Sequence, residues 1–391
     1  MAFLFQKFQE AVRTLTKNPI FSRDPQQLQF EADINCLFLY TSYKMLGENA
    51  NEADAEEIIK MASKASFVDQ QMQVQENVHS QIKAFCTCMN EILVSKEKMV
   101  NGRLELSQQA NSSPLRGGHS SAKAASKQRP LSQSEVSQKL KDQLGYTLNV
   151  KPSQIPHKDS GKGLFLDGAV DVGAVVAFYP GVIYSPSYYN QIPGYLDEQN
   201  SYLITRYDGT VIDAQPWGCG GDGPERFNGR KMFENKLDNE GAHKGSDRMS
   251  KPLEGSQVDD DNDDVVERRN PLALAHFANH PPKGILPNVM ICPYDFPLTE
   301  NNMRIYIPNI LFGNEEVNLK RFGSSWLKSV VSKNSESDVP TLKAVVLVAT
   351  RTLQDEELLL NYRLSNSKQW PEWYAPVDEE EDMNLKDESG Q

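Results

Sequence analysis

Residues 201–214 read SYLITRYDGTVIDA, and this stretch decides the fold class. Leu203 and Ile204 form one short apolar run, Val211 and Ile212 form another, and Asp208-Gly209 stands between them. An Asp-Gly pair between two such runs is a hairpin signal, because the tight turn needs positive φ and glycine takes it without strain. The same pattern recurs outward in both directions. Upstream lie GLFLDG (163–168) and VGAVVAFYPGVIY (172–184); downstream lie Val289–Cys292 and LKAVVLVATRTL (342–353). Short Val/Ile-rich runs broken by Gly, Pro and Asp predict small sheets of short strands over residues 138–376. Residues 218–268 interrupt the pattern with Gly, Asp, Asn and Lys, and read as a long solvated insertion loop. Asp259, Asp261 and Asp263 alternate as in a calcium loop. Asp264 stands where that loop turns on glycine, and Asn270 where it closes on glutamate, so calcium is rejected.

The N-terminal third has a different period. Phe8, Val12 and Leu15, following Phe3 and Phe5, recur at helical spacing, as do Ile34, Leu37 and Phe38, and Gly47 reads as a helix end. Asn51 or Asp54 is placed to cap the next helix, and Phe67 to Val100 has few breakers and repeated apolar positions at Val74, Val78, Ile82, Phe85, Met89 and Ile92. Residues 1–105 are therefore expected to form a small helical bundle with a packing or partner-binding role. Residues 106–137 read as a flexible linker, and 377–391 as an acidic disordered tail. The fold class is α+β, a helical N-terminal region followed by a β-rich domain with a long insertion.

Net charge is −12. An acidic chain is poorly suited to a phosphate backbone, so no direct nucleic-acid contact is expected; it suits a basic, lysine-bearing protein partner. No apolar run reaches the length of a membrane span. The five cysteines (Cys36, Cys86, Cys88, Cys219 and Cys292) show neither a disulfide framework nor paired C-x-x-C zinc elements, and Cys86 and Cys88 read as helix residues. No metal is expected. The compartment reads as intracellular, nucleus or cytoplasm. An organelle address on the amphipathic start is the weaker alternative, against which stand Glu10 and the scarcity of Arg.

Four elements follow one another in the β-rich part: Gly161-Lys162-Gly163; Tyr179-Pro180-Gly181; Phe277-Ala278-Asn279-His280 with Pro287-Asn288; and Asp355-Glu356-Glu357-Leu358-Leu359-Leu360-Asn361-Tyr362. Together, in this order, and with the 201–214 hairpin, they resemble the SET-domain lysine methyltransferases over residues 140–366, and within that family the SET domain-containing protein 9 group. The resemblance implies a SET domain, S-adenosyl-L-methionine as cofactor, and methylation of a protein lysine, histone or non-histone. It implies cofactor contacts at Gly161, Lys162, Gly163, Asn279 and His280, a catalytic tyrosine at Tyr362, and a lysine channel lined by Tyr179 and Tyr202. The sequence departs from the family at His276 (Arg), Pro281-Pro282 (Ser-Cys), Asp355 (Gly) and Asn361 (Asp). It also lacks the C-terminal zinc module, and Trp370, Trp373 and Tyr374 stand where a substitute channel wall would be needed. Those departures motivate the alternative reading, a SET-fold binding module or scaffold without turnover.

Overall fold

The computed structural model describes residues 7–8, 10–11, 14, 25–47, 51–108, 131–195, 200–217, 270–312, 340–364 and 370–377. The expected linker, insertion loop and acidic tail fall largely outside these residues. The described residues are α+β, with helices followed by small sheets of short strands.

Among the described residues, helical residues 7–8, 10–11 and 14 are followed by α1 (Pro25–Met45), α2 (Glu52–Ala62) and α3 (Phe67–Gln108). Asn51 and Asp54 share the capping of α2. The Asn51 side chain accepts from the Ala53 and Asp54 amides, and Asp54 returns a bond to the Asn51 amide. Helix α4 (Gln133–Leu144) begins behind a Ser132/Glu135 capping box and ends at Gly145. It therefore starts inside the segment read as linker. Ten strands follow: β1 (Tyr146–Pro152), β2 (Lys162–Val170), β3 (Val175–Phe178), β4 (Gly181–Tyr184), β5 (Leu203–Thr205), β6 (Val211–Asp213), β7 (Val289–Pro297), β8 (Asn309–Leu311), β9 (Thr341–Ala349) and β10 (Leu353–Gln354), with a one-turn helix α5 (Asn301–Arg304) before β8. They form sheets ordered β1-β2-β10, β3-β9-β7 and β5-β6-β4-β8. All pairings are antiparallel except β4 with β8.

The 201–214 hairpin is present as β5 and β6, paired Thr205 to Val211. Gly209 sits at φ 78, and the Asp208 carboxylate accepts the Thr210 amide at 3.0 Å, closing the turn from its own side chain.

One buried cluster runs from the helices into the sheets, including Leu37, Val78, Ile82 and Phe85 alongside Phe178, Tyr294 and Val346. Phe85 lies 5.4 Å from the Phe178 ring and 6.3 Å from Tyr306. Helix α3 also completes both edges of the β3-β9-β7 sheet. The Gln75 amide bonds the Pro293 carbonyl at 2.7 Å and accepts the Asp295 amide at 2.9 Å; Gln81 bonds the Gly173 carbonyl at 3.0 Å and accepts the Val175 amide at 2.9 Å. Six helical residues rise about 9 Å, and two strand spacings are about 9.5 Å, so a helix crossing the strands reaches one edge with each glutamine. Unpaired edges invite foreign strands, and these two are capped by side-chain amides instead. Among the described residues, no helix is long and apolar enough to cross a membrane.

Candidate active site

The G-x-G turn opens β2. The Gly161 carbonyl accepts the Ser153 amide at 3.0 Å, and Lys162 is exposed. Gly163 is buried, and a Cβ there would stand 2.0 Å from Glu357 Oε1 and 3.3 Å from Asn279 Nδ2. Glycine is required at 163 because a carboxylate occupies the volume a side chain would take. Glu357 in turn accepts from Ser153 Oγ at 2.7 Å, the Gln154 amide at 2.8 Å and Asn279 Nδ2 at 3.2 Å. Asn279 Nδ2 also reaches the Ser160 and Lys162 carbonyls, each at 3.2 Å. Gly161, Lys162, Gly163 and Asn279 are thus one hydrogen-bonded unit, with Glu357 at its centre. In the sequence, the signal for Glu357 is only its place as the second Glu of the Asp355–Tyr362 element.

The segment carrying Glu357 threads between two elements. On one side Leu358 N donates to Leu164 O at 2.7 Å and Leu166 N to Glu356 O at 2.9 Å. On the other, Leu360 N donates to Asn279 O at 2.8 Å and Asn288 N to Leu359 O at 3.0 Å. The Asn288 side chain joins in, donating to the Glu357 carbonyl at 2.8 Å and accepting from Leu359 N at 2.7 Å. Asp355, where the resembled family has glycine, sits at φ 47. Aspartate is among the few residues that visit this left-handed region, and its carboxylate accepts the Gly168 amide at 2.8 Å. Aspartate here holds a conformation that glycine also adopts freely, and adds an anchor.

His280 is buried, with both ring nitrogens engaged. Nδ1 accepts the Tyr362 amide at 3.2 Å, so the ring is the Nε2–H tautomer, donating to the Ala375 carbonyl at 2.7 Å. Its face stacks on Tyr374 at 4.5 Å, and Trp373 stands edge-on to Tyr362 at 6.1 Å. The aromatic C-terminal segment therefore lies against His280 and Tyr362. Trp370 donates to the Leu364 carbonyl at 3.0 Å and Tyr374 Oη accepts the Leu364 amide at 3.1 Å, holding the segment in place.

Two of the tyrosines named from sequence, Tyr179 and Tyr202, flank His276. The Tyr179 and Tyr202 rings lie 6.4 and 6.2 Å from the His276 ring, both edge-on. The Tyr179 hydroxyl donates to the Tyr202 carbonyl at 2.9 Å, and the Tyr362 hydroxyl to the Ala278 carbonyl at 2.9 Å. Tyr362 is 38% exposed as a residue. Desolvation of its phenol, seconded by the neighbouring Tyr202, raises the pKa to about 12. Burial first, then Tyr362, Asp213 and Tyr202, also raises that of Tyr179. Both phenols are neutral hydrogen-bond donors at ordinary pH. His276 was singled out in the sequence only as a departure, and its place between two tyrosines had no sequence signal.

Among the described residues, no group of three or more His, Cys, Asp or Glu side chains is placed to hold a metal ion. Cys86 and Cys88 lie on α3, and burial holds both thiols protonated, up to about 12 and, with Glu91 adding, about 11.

No family model matches the chain. The curated relatives it matches are SET domain-containing proteins. Over 209 residues, 52% of this chain, it is 29% identical to SET domain-containing protein 9 of Pongo abelii and 28% identical to that of Homo sapiens. The chain spans 59% and 54% of the length of those two proteins. The matches support assignment to the SET-domain family. Within it the chain is similar to SET domain-containing protein 9, the group to which its motifs pointed.

Proposed function

We propose that the chain is an S-adenosylmethionine-dependent protein-lysine N-methyltransferase. The observation that carries this reading is that Tyr179 and Tyr202 meet at His276, with Tyr362 near enough to interact electrostatically with both, beside the layer formed by Gly161–Gly163, Asn279 and His280. The 355–362 segment belongs to both, ending in Tyr362 and carrying Glu357 to the glycine turn.

The residues fit the cofactor. A Cβ at Gly161 would meet nothing within 4 Å, so ligand can approach that backbone. Lys162 and His280 complete this wall. When bound, the cofactor supplies a methyl group on a sulfonium. The chain's own task is to present a neutral amine in line with it. Enclosure by the Tyr179, Tyr202 and Tyr362 rings desolvates a lysine ammonium and lowers its pKa. Tyr362, neutral up to about 12, is no phenolate base. Its hydroxyl, fixed on the Ala278 carbonyl, orients the amine through its oxygen lone pairs. Trp373, edge-on to Tyr362, forms part of the channel wall. The acidic chain favours a basic, lysine-bearing protein substrate.

The test combines calorimetry with transfer from labelled S-adenosylmethionine, using the full chain. Asn279→Ala is expected to weaken cofactor binding, because the turn loses its bonds at Ser160, Lys162 and Glu357. Tyr362→Phe is expected to lower kcat about 10²-fold with cofactor affinity nearly unchanged. A folded chain that binds neither S-adenosylmethionine nor S-adenosylhomocysteine would leave the binding-module reading in its place.

A further inference from the structure

Asp33, on helix α1, is 5% exposed and lies 330 residues from Arg363 in sequence. Its carboxylate grips the Arg363 guanidinium with both oxygens, at 2.5 and 2.7 Å, and accepts the Tyr207 hydroxyl at 2.5 Å. Arg363 also reaches Tyr207 Oη at 3.2 Å. Tyr207 stacks on Phe30 of the same helix at 4.4 Å, and Phe30 meets Phe67, the first residue of α3, at 5.4 Å. A planar two-point ion pair fixes orientation as well as distance.

Arg363 directly follows Tyr362 and precedes Leu364, on which Trp370 and Tyr374 are anchored. It sits at φ 50. Non-glycine residues seldom hold that conformation unless their surroundings favour it, and the Asp33 grip holds this side chain through both carboxylate oxygens. Tyr207 belongs to the β5–β6 hairpin turn, and the same hairpin follows directly on Tyr202. One carboxylate from the helical region thus ties together the chain after Tyr362, the aromatic C-terminal segment and the hairpin beside Tyr202.

We propose that Asp33 is a positioning residue for the lysine side of the site, so that the N-terminal helices are a working part of it. The proposal rests on the methyltransferase reading above. Asp33 touches no reacting atom; it acts through Arg363 on the placement of Tyr362 and the channel wall. Misplacement of a catalytic group by about 1 Å can cost about 10²-fold in rate, whereas Gly161–Gly163 and Asn279 are anchored through Glu357, and of the cofactor wall only His280 also touches the Tyr362 segment.

The experiment uses the full chain with Asp33→Asn, Asp33→Glu and, as a control at another helix–sheet contact, Lys44→Gln, which removes the ion pair to Asp171. Three quantities are read: transfer from tritiated S-adenosylmethionine to an array of lysine-bearing peptides, cofactor affinity by calorimetry, and amide hydrogen exchange at residues 362–364. These amides donate to His280, Asn361 and Tyr374 and are protected while the segment is held. Asp33→Asn is expected to lower kcat about tenfold to a hundredfold, leave cofactor affinity within about twofold and speed exchange at 362–364. Asp33→Glu is expected to recover much of the rate, and Lys44→Gln to keep it. Wild-type kcat and exchange in Asp33→Asn would overturn the proposal, as would a parallel fall of rate, cofactor affinity and melting temperature. A wild-type chain that transfers no methyl group sinks the methyltransferase reading, and exchange at 362–364 still decides the clamp.

Discussion

Gly163 shows how much a single position can be dictated by a distant one. The space its side chain would fill is taken by Glu357, and an alanine Cβ would lie 2.0 Å from that carboxylate oxygen. Gly163→Ala is expected to destabilise the fold by about 1–3 kcal/mol through overpacking, read from the urea midpoint. An unchanged midpoint would mean that Glu357 does not occupy this space. Tyr362 makes a second prediction at this scale. Burial, then Tyr202, raises its pKa to about 12, so its contribution to stability is full below the ordinary tyrosine range near pH 10 and is lost as pH rises through about 12. Ultraviolet titration of the folded wild type against Tyr362→Phe is expected to show one fewer phenolate forming near pH 12. A missing phenolate near pH 10 instead would show that the hydroxyl is solvated.

At the scale of the element, the 351–362 segment is the structural joint of the site. Glu356 is desolvated, which raises its pKa, but the Arg351 bonds and charge, with Asn288 behind them, prevail and hold it below the usual glutamate value. The Arg351–Glu356 pair is partly exposed, at 45% and 29%, and is worth about 0.2–1 kcal/mol. A depressed carboxylate pKa stabilises the fold above the unfolded value, and that contribution fades as pH falls through the folded value. The stability gap between wild type and Arg351→Met is therefore expected to be full at neutral pH and to close under acid, as followed by thermal melts across pH 2–7. A gap that persists under acid would assign the arginine a role other than pairing with Glu356. The helices and the 201–214 hairpin were legible in the sequence because their signals are local: apolar period, caps and an Asp-Gly turn. The threading of 355–362 between β2 and the 278–289 stretch was not, because a backbone pairing across long separations leaves no mark on either partner's composition.

At the scale of the whole molecule, helices and sheets share one core. Phe178, Tyr294 and Tyr306 each meet α3, through Phe85, His79 and Asn90. Burying a large side chain contributes about 1.5–3 kcal/mol, and a domain's net stability is about 5–15 kcal/mol. Deleting residues 1–105 is thus expected to abolish cooperative unfolding, seen as loss of the calorimetric transition. A truncated chain that melts as sharply as the intact one would show that the sheets stand alone. By itself, the sequence determined the α+β class, the helical first third, the short strands and the SET-family motifs, all written in local period or in short strings of specific residues. Only the tertiary structure decided that Glu357 fills the space at Gly163, that His276 lies between Tyr179 and Tyr202, and that Asp33 holds Arg363. An amphipathic pattern states which face must be covered; what covers it depends on how distant segments meet, and a charged or aromatic residue acquires its partner only there.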